Sequence, residues 1–137
     1  MSLVLDASMT LAWVYLDETT EAVVQAFEAL REDGAWVPAL WRLEVANVLQ
    51  MNVNRRRHRT TFRDAALAEL GLLPIHLDGD TDRHAWGETL RLAERHGLTV
   101  YDAAYLELAL RRKIALATLD RQLRAAAASN GVELLGM

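Results

Sequence analysis

Asp6, Glu44, Asp102 and Asp120 are the residues of this sequence best suited to chemistry. Three of them stand directly after apolar runs: Asp6 after Leu3-Val4-Leu5, Asp102 after Leu98-Thr99-Val100-Tyr101, and Asp120 after Leu116-Ala117-Thr118-Leu119. Ligands of an open parallel sheet bind beyond the carboxyl ends of its strands, so these positions predict convergence on one edge. An aspartate between strand and helix is also a preferred N-cap worth about 1 kcal/mol, and Asp102, which opens a helix over Ala103 to Arg112, and Asp120 suit capping as well as ligation. Asp6 is freer for chemistry, because Ser8 is placed to cap the helix that follows. Gathered like charges raise one another's pKa and destabilise a fold unless a cation compensates, which caps alone do not explain.

Glu44 extends the set. On a helical wheel of about 100° per residue it falls between Leu40 and Val48 and close to Met51, inside the apolar arc. Burying it unpaired costs several kcal/mol, so it needs a cation or a hydrogen-bond network, with Asn47 one turn on placed to orient it. The plainer alternative is a glutamate at the helix edge that reaches water.

Four carboxylates without cysteine describe a site for a hard cation, Mg²⁺ or Mn²⁺, in preference to zinc. His58, His76, His84 and His96 are scattered, with no metal-ligand spacing; His76 reads as a sheet residue and His96 as a helix end before Gly97. Such a cation activates an attacking water and neutralises a phosphate oxyanion, so phosphodiester hydrolysis is the natural reaction. Ser8 and Thr118, each two residues from an aspartate, are candidates to hold a carboxylate or a water, with local turn or capping bonds as the alternative.

The elements that must position these groups follow from hydrophobic periodicity. Short apolar runs at 2–5, 35–37, 73–77, 115–117 and 132–135 read as strands. Helical spacing occupies roughly 19–33, 40–57, 61–72, 80–96, 103–112 and 120–130. Gly34, Pro38, Gly71, Gly97 and Asn130-Gly131 punctuate these boundaries. Strands alternating with helices of this length require crossovers, hence an α/β fold with a mainly parallel sheet covered on both faces. A length of 137 residues fits one domain over 1–137.

Composition excludes several classes. The net charge of −4 rules out a generally basic nucleic-acid binder, so contact with nucleic acid needs a local patch. No apolar run is long enough for a membrane span, because Asp6 and Asp17 interrupt the first stretch, which also lacks a basic leader. The absence of cysteine fits a reducing cytoplasm.

Taken together, Leu5-Asp6-Ala7-Ser8, the run from Val37 to Leu49, the run from His96 to Leu106, and Leu116-Ala117-Thr118-Leu119-Asp120 resemble a PIN domain, and specifically the VapC toxins of toxin-antitoxin pairs. The resemblance spans essentially the whole chain. It implies a three-layer α/β/α sandwich and Mg²⁺- or Mn²⁺-dependent endonucleolytic cleavage of RNA. It also implies neutralisation by a small VapB-type antitoxin, and homodimers. The family's acidic ligands match Asp6, Glu44, Asp102 and Asp120; its asparagine and hydroxyl match Asn47 and Thr118. Relatives often turn with Arg-Arg-Gly after the glutamate helix, where this chain reads Arg55-Arg56-Arg57-His58-Arg59. An RNA-processing nuclease without an antitoxin and a non-catalytic PIN-like scaffold are the alternatives within the resemblance.

Arg55, Arg56, Arg57 and Arg59 form the obvious basic patch, placed either to meet RNA or a partner or simply to complement a helix C-terminus, as Arg111-Arg112-Lys113 does. Trp13, Trp36, Trp41 and Trp86 sit among apolar neighbours and read mainly as core. A phosphotransferase with an aspartyl nucleophile resembles the haloacid-dehalogenase pattern and needs a second aspartate where Ser8 stands. A receiver domain needs an aspartate after the central strand and a lysine after a later one, whereas Asp78 is poorly placed and Lys113 precedes its strand.

Overall fold

The computed structural model describes residues 1–137. In chain order the elements are β1 (Leu3–Leu5), α1 (Ala7–Val14), α2 (Glu21–Asp33), β2 (Ala35–Val37), α3 (Trp41–Asn54), α4 (Thr60–Leu70) and β3 (Ile75–Leu77). There follow α5 (Thr81–Ala85), α6 (Glu88–His96), α7 (Val100–Arg112), β4 (Ala115–Ala117), α8 (Arg121–Ser129) and β5 (Leu134–Leu135), and one 3₁₀ turn lies at Leu16–Glu18. The strands pair in the order β3-β2-β1-β4-β5, all parallel. Helices flank the sheet, giving the expected α/β/α layers. No helix is long and apolar enough to cross a membrane.

The central strands are uniformly apolar because both of their faces are covered. Leu3, Val4 and Leu5 of β1 and Ala115, Leu116 and Ala117 of β4 are all buried. Phe27 and Leu30 of α2, Trp41, Val45 and Leu49 of α3, and Leu106 and Leu108 of α7 close the core over them. Phe27 stacks on Trp13 at 4.6 Å between ring centroids, and the Trp41 indole donates to Thr10 Oγ1 at 3.0 Å. Trp86 is the exception among the tryptophans, standing 94% exposed.

From β1 the chain winds to β2 on one side and to β4 on the other. The crevice beyond the carboxyl ends of β1 and β4 is therefore the switch point at which ligands of such sheets bind. The register pairs Leu5 with Ala117, and the Asp6 N–H donates to the Ala117 carbonyl at 3.2 Å. Residues 6 and 118 thus sit side by side at that crevice.

Four boundaries differ from the sequence expectation, each for a local reason. A helix, α1, begins directly after Asp6; its residues are so evenly apolar that periodicity gives no stripe to detect. The helix expected over 80–96 divides at Trp86 and Gly87, where Gly87 leaves helical geometry. The run at 98–101 is extended only to Thr99, whose hydroxyl accepts the Asp102 N–H at 3.1 Å and starts α7 at Val100. Asp102 consequently lies in the first turn of α7 and does not open it. Pro74 and Glu133 stay outside the strands, so β3 and β5 are shorter than the apolar runs. Gly97, at φ +64°, closes α6 in the left-handed conformation that costs glycine least.

Candidate functional site

Asp6 is the most constrained of the four carboxylates. It is 4% exposed, and Oδ1 accepts the Met9 N–H at 2.9 Å, so Asp6 itself, and not Ser8, caps α1. Ser8 Oγ donates to the same carboxylate at 2.8 Å, and Thr118 Oγ1 donates to Oδ2 across the β1/β4 edge. Both hydroxyls are themselves anchored: Ser8 Oγ accepts the Leu119 N–H at 3.0 Å, and Thr118 Oγ1 accepts the Asp120 N–H at 3.1 Å. Arg124 holds the Thr118 carbonyl at 2.7 Å and the Leu135 carbonyl at 3.0 Å, tying the end of β4 to β5. Burial pushes the Asp6 carboxyl up to about 6; its three hydrogen bonds work against that rise, and the charge of Asp102 adds to it.

Glu44 stands half-buried on the flank of the stripe Trp41, Val45 and Leu49. Its orienting partner is Tyr105, whose hydroxyl donates to Oε1 at 2.6 Å. Asn47, expected in that role, is exposed and makes no hydrogen bond to Glu44. Partial burial raises the Glu44 pKa, the Tyr105 hydrogen bond lowers it, and the Asp102 charge raises it further. Tyr105 sits three residues after Asp102, on the same side of α7, and the i, i+3 spacing from that carboxylate is the signal that could have singled it out.

Asp102 is the hub. Its carboxyl is raised first by partial burial and then by the charge of Asp120, while its own charge acts on Asp6 and Glu44. Asp120 caps α8, with Oδ1 accepting the Leu123 N–H at 2.8 Å. Capping and proximity to the cluster therefore coexist at Asp6 and Asp120. None of the four carboxylates forms an ion pair with any lysine, arginine or histidine, although six other side-chain ion pairs form elsewhere in the chain.

The donors are all oxygen and their charge is unbalanced within the protein, which fits Mg²⁺ or Mn²⁺. No three side chains close into a ready-made cage. An open set suits a cation that is bound through one or two carboxylates and keeps several waters, as Mg²⁺ does.

The arginine patch lies elsewhere. Arg55, Arg56, Arg57 and Arg59 are exposed beyond the carboxyl end of α3, with Arg56 at φ +59°. Arg55 is eleven residues from Glu44, roughly 16 Å along the helix at 1.5 Å per residue. Within that run His58 stacks on Phe62 at 4.4 Å and on Tyr15 at 5.1 Å.

A second charged cluster was not visible in the sequence. Asp78, 1% exposed at the end of β3, accepts from Arg111 at 2.7 and 3.1 Å and from Arg112 at 3.2 Å. Arg111 also donates to the buried Glu107 at 2.8 Å, and the Arg112 guanidinium lies 3.4 Å over the Trp36 ring. These arginines are thus internal ion-pair partners, and the expectation that they merely complement the helix dipole is corrected.

An all-parallel five-stranded sheet carrying uncompensated carboxylates at its switch point defines a class of protein. The PIN domain family model matches residues 3–129, and the chain belongs to the PIN-domain family. Ribonuclease VapC3 of Pyrobaculum aerophilum is 35% identical over 127 residues, which cover 90% of this chain and 92% of that protein. Three solved structures share the fold. PAE2754 from Pyrobaculum aerophilum has a TM-score of 0.63 and 22% identity over 92% of this chain and 84% of its own. VapBC2 from Rickettsia felis, bound to a DNA fragment from its promoter, has 0.67 and 13% over 98% and 97%. FitAcB from Neisseria gonorrhoeae has 0.66 and 17% over 98% and 96%.

Proposed function

We propose that this protein, a single domain over residues 1–137, is a Mg²⁺- or Mn²⁺-dependent endoribonuclease and the toxin of a VapBC-type pair. The observation that carries the reading is the set Asp6, Glu44, Asp102 and Asp120, coupled through Asp102 at the switch point with no internal cation. The VapC3 relative favours RNA as substrate. The VapBC2 neighbour favours a small antitoxin as partner, with a cytoplasmic location and a homodimer as the accompanying expectations.

In this reading the four carboxylates would hold the cation, which when bound supplies water activation and charge neutralisation at the phosphate. Ser8 and Thr118 fix the rotamer of Asp6 and keep both of its oxygens hydrogen-bonded, so the carboxylate needs no reorganisation to take a ligand. Tyr105 holds one oxygen of Glu44, Oε1, in the same way. With four acidic groups on one rim, the RNA backbone is repelled until that charge is balanced, and exposed arginines such as those at 55–59 lower the barrier to approach.

The test is cleavage of total cellular RNA by wild type, Asp6→Asn and Asp102→Asn, with and without EDTA. Wild type is expected to cut in Mg²⁺ or Mn²⁺ only, and both variants to be inactive with unchanged circular dichroism. Equal cutting by wild type and folded variants refutes the assignment.

A further inference from the structure

One helical turn from the carboxylates lies a separate hollow of about 180 Å³. Leu40, Ala85, Val100 and Ala104 give it apolar walls, and Tyr101 forms one flank. Leu40 precedes Glu44 by four residues, while Tyr101 and Ala104 each adjoin a residue of the acidic site, Asp102 and Tyr105. Leu40 therefore stands one turn from Glu44 on the same side of α3, about 6 Å away, so the hollow adjoins the cluster. At this size it is smaller than sites for drug-sized ligands, which run to roughly 300–1,000 Å³, and takes a single flat ring system.

Its polar groups are unspent. Thr89 is 2% exposed and lines the hollow, yet none of the hydrogen bonds of the fold uses its hydroxyl. Asp82 is exposed on the rim and belongs to no ion pair. The neighbouring Thr81, by contrast, is committed to the wall: it accepts the Ala39 N–H at 3.0 Å and donates to Asp78 at 3.2 Å. Tyr101 is 65% exposed and leaves an aromatic face open beside a site that would hold a phosphate.

A hollow with an aromatic flank, an uncommitted hydroxyl in its lining and an acceptor on its rim matches the way single-stranded RNA bases are read, by stacking and by hydrogen bonds to an edge. The Asp82 carboxylate only accepts, so it selects a base edge that donates. Adenine, cytosine and guanine carry an exocyclic amine; uracil offers the carboxylate only its N3–H, flanked by two carbonyl oxygens that repel it, and is disfavoured. We propose that this hollow is a base site of the substrate strand, adjoining the scissile phosphate, which seats an amine-bearing base in preference to uracil. It rests on the ribonuclease reading above, and two measurements separate the failure of one from the failure of the other.

The first is mapping of cut ends in a randomised RNA pool. Wild-type cuts are expected to show one fixed position depleted in uridine, and Asp82→Asn, whose amide can donate to uracil, to lose that depletion. Tyr101→Ala should lose roughly 10-fold or more in kcat/KM, chiefly in KM, with Tyr101→Phe retaining activity. Cutting by wild type with no uridine-depleted position, or the same pattern in Asp82→Asn, overturns the base site and leaves the ribonuclease reading intact. Should wild type not cut at all, the ribonuclease reading falls, and nuclear magnetic resonance decides the hollow. Adenosine monophosphate is expected to shift the Thr89 and Tyr101 signals of wild type at lower concentration than uridine monophosphate, with the effect lost in Tyr101→Ala. No nucleotide-induced shift overturns the base site; shifts that follow protein concentration instead also overturn it and assign the patch to contact between copies.

Discussion

Replacing Asp78 by asparagine preserves shape while removing the negative charge that faces Arg111 and Arg112. Its burial alone would raise the carboxyl, but hydrogen bonds from the two arginines outweigh this and hold it near 2, against an ordinary 3.8. That depression corresponds to roughly 2–3 kcal/mol of folding free energy at neutral pH. Breaking a fully buried pair by removing one partner costs about 3–5 kcal/mol. Water reaches the Arg111 and Arg112 side chains, which are 22% and 30% exposed, so the lower figure is the one expected. For a domain of this size it lowers Tm by roughly 8–10 °C. Because the folded pKa is depressed, the contribution is fully present above 3.8 and disappears as pH falls through 2. Roughly half of it is gone by pH 3. The assay is urea unfolding of wild type and Asp78→Asn at pH 7 and pH 3, followed by far-ultraviolet circular dichroism. Equal stability at pH 7, or a gap at pH 3 as large as at pH 7, refutes the reasoning.

Three further outcomes are expected. With the Asp6 carboxyl pushed up to about 6 in the cation-free protein, protons compete with the cation below that pH; the Mn²⁺ concentration giving half-maximal cleavage should rise between pH 7 and pH 5, and a constant value would disprove the assignment of Asp6 as ligand. Tyr105→Phe removes the hydroxyl from Glu44 and should cost about 1 kcal/mol of stability by thermal melting, with a higher metal requirement for cleavage; unchanged metal dependence would mean that Tyr105 does not orient Glu44. Changing Arg55, Arg56, Arg57 and Arg59 to glutamine should lower the slope of log affinity for single-stranded RNA against log salt by up to about 3, and an unaltered slope would mean that this patch meets no phosphates.

The carboxylates were readable from sequence to the extent that their position depends on local pattern. Asp6 and Asp120 follow short apolar strands, and Glu44 falls within an apolar arc, so strand ends and helical phase suffice to bring them to the sheet edge. Boundary details depended on competition between neighbouring caps. Thr99 takes the cap of α7 and leaves Asp102 in the first turn, while Asp6 takes the cap of α1 and leaves Ser8 to donate to it. The partners of Glu44 and Asp78 were unreadable for a different reason. Tyr105 is 61 residues from Glu44, and Arg111 is 33 residues from Asp78. Such pairs are set by how α7 lies across β1 and β4, which no local window contains. The arginines of Arg111-Arg112-Lys113 look like a solvated helix end because the buried aspartate they meet is distant in sequence.

The hydrogen bond from Thr118 to Asp6 joins residues 112 apart and bridges adjacent parallel strands. A chain emerging from the ribosome therefore cannot assemble this corner until β4 and the residues after it have cleared the exit tunnel. Up to that moment Asp6 lacks one of the hydroxyls that hold it, and Asp120 has not yet emerged. On the ribonuclease reading proposed above, cleavage must wait until the chain through Asp120 has been made and has left the tunnel.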